Sequence, residues 1–100
     1  MAVNTIGAGV VLNEGQIDVD LRVEGNSAGY LLVGYGSSDR VGSGVAAPAS
    51  ALHVAGTMQV GIDGTGHDVI FYGDTASGNM TWDESEDDLV LNDARLLIDQ

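Results

Sequence analysis

Apolar and polar residues alternate along most of the chain with the two-residue period of half-buried β-strands. The alternation predicts strands at Val10–Asn13, Ile17–Val23, Tyr30–Tyr35, Asp39–Gly42, Ala51–Ala55, Met58–Ile62, Asp68–Tyr72, Asn79–Trp82, Asp87–Leu91 and Arg95–Ile98. Between them lie clusters such as Glu24-Gly25-Asn26-Ser27, Gly36-Ser37-Ser38-Asp39, Asp63-Gly64-Thr65-Gly66 and Gly73-Asp74-Thr75. These residue types tolerate positive φ or close side-chain turns. Strand candidates thus arrive about every ten residues, the rhythm of an all-β fold. Two short stretches carry helix formers. Ala46–Leu52 is interrupted by Pro48, and Asp93–Leu97 has room for one or two turns after Asn92, so both are read as extended.

The pattern also repeats. Asp20-Leu21-Arg22-Val23-Glu24-Gly25-Asn26-Ser27-Ala28 aligns with Asp68-Val69-Ile70-Phe71-Tyr72-Gly73-Asp74-Thr75-Ala76. After a one-residue gap, Tyr30–Val33 meets Asn79–Trp82 and Ser38–Val41 meets Asp87–Val90. Each half reads strand, turn, strand, turn, strand. A hairpin unit that cannot close its own core stacks on copies of itself, within the chain or between chains. The expected organisation is an extended N-terminal arm over residues 1–13, one β module over 14–56 and a second over 57–100.

Composition changes this picture in one respect. A chain of 100 residues allows one domain or two small modules, and it contains no cysteine for a disulfide framework or a thiolate metal site. A β fold of this size is marginal alone, so oligomerisation is the expected source of further burial. Val, Leu, Ile and Ala dominate the apolar set. Fifteen glycines and only five aromatics (Tyr30, Tyr35, Phe71, Tyr72 and Trp82) accompany them, which suits thin sheets better than a thick core.

The formal net charge is −12, with Arg22, Arg40 and Arg95 as the only cations besides the two histidines. Nucleic-acid binding relies on Lys and Arg to neutralise phosphates, and an anionic membrane repels such a chain, so neither is an expected partner. The acid excess complements a basic docking surface instead. Met1–Val11 is apolar and glycine-rich, without the basic region of a signal peptide and too short to span a bilayer. The expectation is a chain made in the cytoplasm.

Candidate chemistry is sparse. His53 and His67 and many serines are present, but no Gly-x-Ser-x-Gly elbow or comparable arrangement accompanies them, and no enzymatic activity is expected. In a strand, His53 faces opposite to Leu52 and Val54, which reads as a solvent or interface histidine. The alternative is a metal on a threefold axis taking one His53 from each of three copies, with imidazole as ligand. Asp83–Asp88 and Asp63–Asp68 carry oxygen donors for calcium without the EF-hand spacing, and read as acidic turns. Gly7-Ala8-Gly9 and Gly34-Tyr35-Gly36 lack the Gly-Lys-Ser/Thr of a phosphate loop. Trp82 and the tyrosines have the chemistry to stack on sugars, but in so aromatic-poor a chain Trp82, in phase with Met80, reads as a core anchor. No cofactor is expected.

Arg40-Val41-Gly42 followed by Gly44 and Pro48 suggests a strand ending in a tight crossover, with glycine permitting close backbone approach and proline fixing the exit. Such an exit suits a chain that winds about a threefold axis and covers its neighbours' sheet edges. The residues expected to build that structure and the contacts between copies are Arg40, Val41, Gly42, Gly44, Pro48, Leu52, Val54 and Trp82.

Several segments share an order and spacing with a known group of proteins. Leu21-Arg22-Val23-Glu24-Gly25, Leu31-Leu32-Val33, Ser38-Asp39-Arg40-Val41-Gly42-Ser43-Gly44, Pro48 and Leu52-His53-Val54-Ala55-Gly56-Thr57-Met58-Gln59-Val60 resemble modules of phage tail-fibre and virion structural proteins. The run Met80–Leu91 is similar to the strand-turn-strand that follows in such proteins, notably those of marine and cyanobacterial phages. Ser43 stands where that pattern has isoleucine, and Ala46-Ala47 where it has polar residues. The resemblance implies a trimeric, β-rich, non-catalytic part of a virion, so the expected fold is an all-β intertwined homotrimer, β-prism or triple β-helix-like. The short chain opening at Met1 leans towards a capsid-decorating, cement or head-fibre protein that binds the major capsid or another virion protein. A tail-fibre or tail-spike segment contacting the host surface is the alternative, and a bacterial carbohydrate-binding or adhesin module the second.

Overall fold

The computed structural model describes residues 7, 9–13 and 15–100. The described residues are all-β, with no helix, and form two small sheets. The first contains β1 (Leu21–Val23), β2 (Leu32–Tyr35), β3 (Arg40–Ser43) and β4 (Leu52–Val54), in that order. The second contains β5 (Val69–Tyr72), β6 (Asn79–Asp83) and β7 (Asp88–Asn92), also in chain order. The chain divides into a unit over Met1–Met58 and another over Gln59–Gln100, where the sequence pattern placed a boundary after residue 56.

Each strand falls where alternation predicts one, but three predicted strands do not form. Val10–Asn13, Met58–Ile62 and Arg95–Ile98 belong to no sheet; the second contributes only the isolated Ile62–Thr65 bridge. Alternation marks a segment able to pair, and these find no partner strand among the described residues. Neither Ala46–Leu52 nor Asp93–Leu97 is helical. The expected arm over residues 1–13 lies largely outside the described residues.

The two meanders are built to one plan. In the first, Leu21 pairs with Gly34 and Val33 with Gly42; in the second, Val69 pairs with Trp82 and Thr81 with Val90. Every strand position in one has its counterpart 48 residues on, as Asp20 has Asp68, so the one-residue gap in the sequence alignment disappears. Both repeats share a brace. Asp20 accepts a hydrogen bond from the Gly36 amide at 2.8 Å, and Asp68 one from the Glu84 amide at 2.9 Å. Both close their second hairpin on an aspartate in the left-handed region, Asp39 at φ 54° and Asp87 at φ 57°. Aspartate adopts that region more readily than most residues.

Directly paired residues in a sheet share a face, so the registers sort every side chain. In the first sheet one face carries Arg22, Val33, Gly42 and His53 in a row. The connection over residues 44–51 folds across that row, and Val33 beneath it is 2 % exposed. No other large apolar side chain among the described residues is fully buried. The equivalent face of the second sheet is mixed: Ile70, Tyr72 and Val90 share it with a polar group in which Thr81 Oγ donates to Asn79 Oδ1 at 2.9 Å and Asn92 Nδ2 donates to the same oxygen at 3.1 Å.

Candidate functional site

The most constructed part of the chain is the crossover from β3 to β4. Parallel strands ordinarily need a connection of about a dozen residues or more. Here residues 44–51 suffice, because the turn is held at each step. Gly44 sits at φ 75°, donates its amide to Tyr30 O at 2.6 Å, and leaves only 3.1 Å between an added Cβ and Ala55 O. Gly42 lies so close beneath Pro48 and Val45 that an added Cβ would stand 2.8 Å from a ring carbon of one and a methyl of the other. Arg40 donates from its guanidinium to Pro48 O at 3.1 Å. The chain then returns beside its own β3, with Val41 opposite Leu52 and Ser43 opposite Val54.

These contacts give the sequence-derived residues their places. Arg40, Gly42, Gly44 and Pro48 come together as one clamp within the chain. Val41, Leu52 and Val54 lie on the opposite face of the same sheet, and Leu52 is 62 % exposed. Trp82 belongs to the other unit and, at 42 % exposure, is not buried within the chain. A three-stranded sheet without a covering layer has nowhere to bury an indole.

His53 is part of the clamp. Its Nδ1 accepts the Ala49 amide at 3.1 Å, which places the ring proton of neutral imidazole on Nε2. Coordination through Nε2 would need the tautomer with its proton on Nδ1, and so would break the bond from Ala49. The ring reads as a turn brace. His67 is exposed in the loop before β5. Among the described residues no three His, Cys, Asp or Glu side chains are placed to hold a metal ion.

The acidic run Asp83–Asp88 forms the β6–β7 turn. Asp83 Oδ1 accepts from Ser85 Oγ at 2.7 Å and from the Ser85 amide at 3.0 Å. The Ser85 hydroxyl and then its amide hold the Asp83 carboxyl below the usual aspartate value. A depressed folded-state value favours the ionised form, so this contribution to stability is present above the ordinary aspartate range. It is lost as pH falls through the depressed value. Ser85→Ala is expected to move the Asp83 midpoint upward towards the usual value in an NMR pH titration, and no movement would show the hydroxyl to be irrelevant. Asp63–Gly66 forms a separate tight turn, closed by reciprocal amide-to-carbonyl bonds between Ile62 and Thr65 at 3.1 and 2.9 Å.

What sequence reasoning missed is a pair of surfaces. The registers put Val69, Phe71, Met80, Trp82, Leu89 and Leu91 on one face of the second sheet. Phe71 is 55 % and Leu89 64 % exposed. The counterpart face of the first sheet carries Leu21, Val23, Leu32, Val41 and Ser43, extended by Leu52 and Val54 of β4. Neither face contains an ionisable group, in a chain whose net charge is −12. The alternation carried this signal, since each strand shows an apolar side. Which apolar side lacks a cover depends on where residues 44–51 fold, and that is a tertiary fact.

Among the described residues, then, the features with a built geometry are a clamp that stabilises its own sheet and two bare apolar faces, and no constellation of nucleophile, base and oxyanion donors accompanies them. Comparison of the chain with family models, with curated proteins and with solved structures finds no match.

Proposed function

We propose that this chain is a non-enzymatic structural subunit that completes its fold as a homotrimer within a bacteriophage particle. One observation carries the assembly reading: both sheets leave a predominantly apolar face uncovered, while among the described residues Val33 is the one large aliphatic side chain that is buried. A fold of 10.3 kDa exposes roughly 5,400 Å², and two separate folds sharing that mass roughly 6,400 Å². This chain exposes 8416 Å². The excess over even the two-fold figure, roughly 2,000 Å², is of the size that an obligate interface removes from each partner.

The virion placement is supported by the resemblance of Leu21–Gly25, Arg40–Gly44, Pro48 and Leu52–Gly56 to modules of phage structural proteins. The acidic surface suits docking on a basic feature of a capsid or other virion protein. In this reading the subunit decorates or cements the capsid, where local threefold positions match a trimer. The repetition at 48 residues favours a second placement, a tail-fibre or tail-spike segment that contacts the host surface, because such modules recur along fibres.

The experiment is the solution mass of the purified chain by size exclusion with light scattering. A trimer is expected; a folded monomer would overturn the assembly reading. Copy number in purified particles then separates the placements, hundreds for decoration and a handful for a tail fibre.

A further inference from the structure

We infer that the two bare apolar faces are the surfaces through which copies of this chain bind one another, with Trp82 at the centre of the second. This rests on the assembly reading above and deepens it, because it states which side of each sheet meets a neighbour. Met80 and Trp82 lie on the central strand β6, flanked by Phe71 and Val69 on β5 and by Leu91 and Leu89 on β7. The reverse side of the same strands presents Thr81, Asn79, Asn92, Asp83 and Asp88 together with Ile70, Tyr72 and Val90. One side is apolar at every strand position, while the other mixes apolar residues with polar and charged ones.

The occupant is a second copy of the chain for three reasons. First, a three-stranded sheet with nothing packed on it has little beyond its ladder hydrogen bonds to oppose chain entropy. Its cover must therefore be present wherever the chain is made, and another copy always is. Second, each chain carries −12, so like chains repel except through patches free of charge, and both faces are such patches. Third, the same side is bare in both repeats, at positions 48 residues apart. One mode of contact serves both units.

The repeats differ at one point, and the difference predicts geometry. The counterpart of Trp82 is Gly34, where an added Cβ would touch only Leu21 Cβ, at 3.5 Å. The first face therefore has a notch where the second has an indole. Facing copies approach more closely around Gly34 than around Trp82.

The test uses the absence of cysteine and the single tryptophan. In full-length protein, Met80→Cys places the only thiol on the apolar face, and Ile70→Cys places it on the reverse side. A short bismaleimide is expected to link Met80→Cys copies at least tenfold faster than Ile70→Cys copies at equal concentration. Trp82 emission is expected to sit at the short wavelengths of a water-free indole and to move red on dilution below the dissociation point. If light scattering shows an oligomer but Ile70→Cys links faster, or Trp82 emits as in water, this inference falls and the assembly reading stands. A folded monomer with water-exposed Trp82 overturns both. A dimer that links through Met80→Cys supports the face and overturns the threefold count.

Discussion

Val33→Asp is expected to unfold the sheet of residues 21–54 altogether. Val33 is 2 % exposed beneath the 44–51 connection. Its neighbours across the strands are Arg22, which is drawn to the Tyr30 ring at 5.5 Å and to Glu24 at 3.2 Å, and Gly42, which has no side chain. A carboxylate there would lose its hydration without a partner in place. The effective penalty is several kcal/mol per buried ion, against a total stability of about 5–15 kcal/mol for an ordinary domain. Val33→Ala, which removes two methyls and adds no charge, is expected to cost about 2 kcal/mol. Amide dispersion in a two-dimensional NMR spectrum is the measurement: signals from residues 21–54 collapse in Val33→Asp and persist in Val33→Ala. Native dispersion in Val33→Asp would show that Val33 is not the keystone of this sheet.

The second large effect is at Gly42. The 2.8 Å separations from Pro48 and Val45 leave no room for a methyl, and Pro48 is a ring held by the Arg40 bond to its carbonyl. Val45 has a rotamer to yield; the proline does not. Gly42→Ala is expected to cost about 1–3 kcal/mol, the usual penalty of overpacking. Gly56→Ala provides the comparison, since no atom lies within 4 Å of an added Cβ there. It is expected to be neutral or slightly stabilising, by at most about 1 kcal/mol, through lower unfolded-state entropy. Paired thermal melts check this. Equal midpoints for the two variants would remove the close packing of Gly42 under Pro48 from the account.

These two residues also show how far the sequence could be read. Gly42, Gly44 and Pro48 were legible as a tight crossover because glycine and proline announce backbone requirements. Its destination was not. Whether the chain leaves for a neighbour or returns beside β3 depends on contacts such as Arg40 to Pro48 O and Ala49 N–H to His53, between residues separated in the sequence. The strands of both meanders were legible from alternation. Val10–Asn13, Met58–Ile62 and Arg95–Ile98 alternate as well yet find no partner among the described residues, since period records a capacity to pair and not a mate. The repeat was visible at Asp20–Ala28 and Asp68–Ala76. Its later half was placed one residue out of step, because Gly34 and Trp82, the true counterparts, share no chemistry. Trp82 was read as a core anchor from the scarcity of aromatics and its phase with Met80, and the registers place it with Met80, Phe71 and Leu89 on an exposed face.

The shortness of the β3–β4 connection bears on how the protein reaches its final state. Parallel pairing usually forms late, because a long loop must close first. Here Val41 meets Leu52 across only the few residues of the clamp, so closing the pair costs little chain entropy. The remaining pairings in both sheets join strands adjacent in the sequence. Among the described residues the strand pairings therefore join neighbouring segments and form as first-order steps. In the assembly proposed above, what remains is an encounter between preshaped sheets, whose rate rises with concentration while the earlier steps do not.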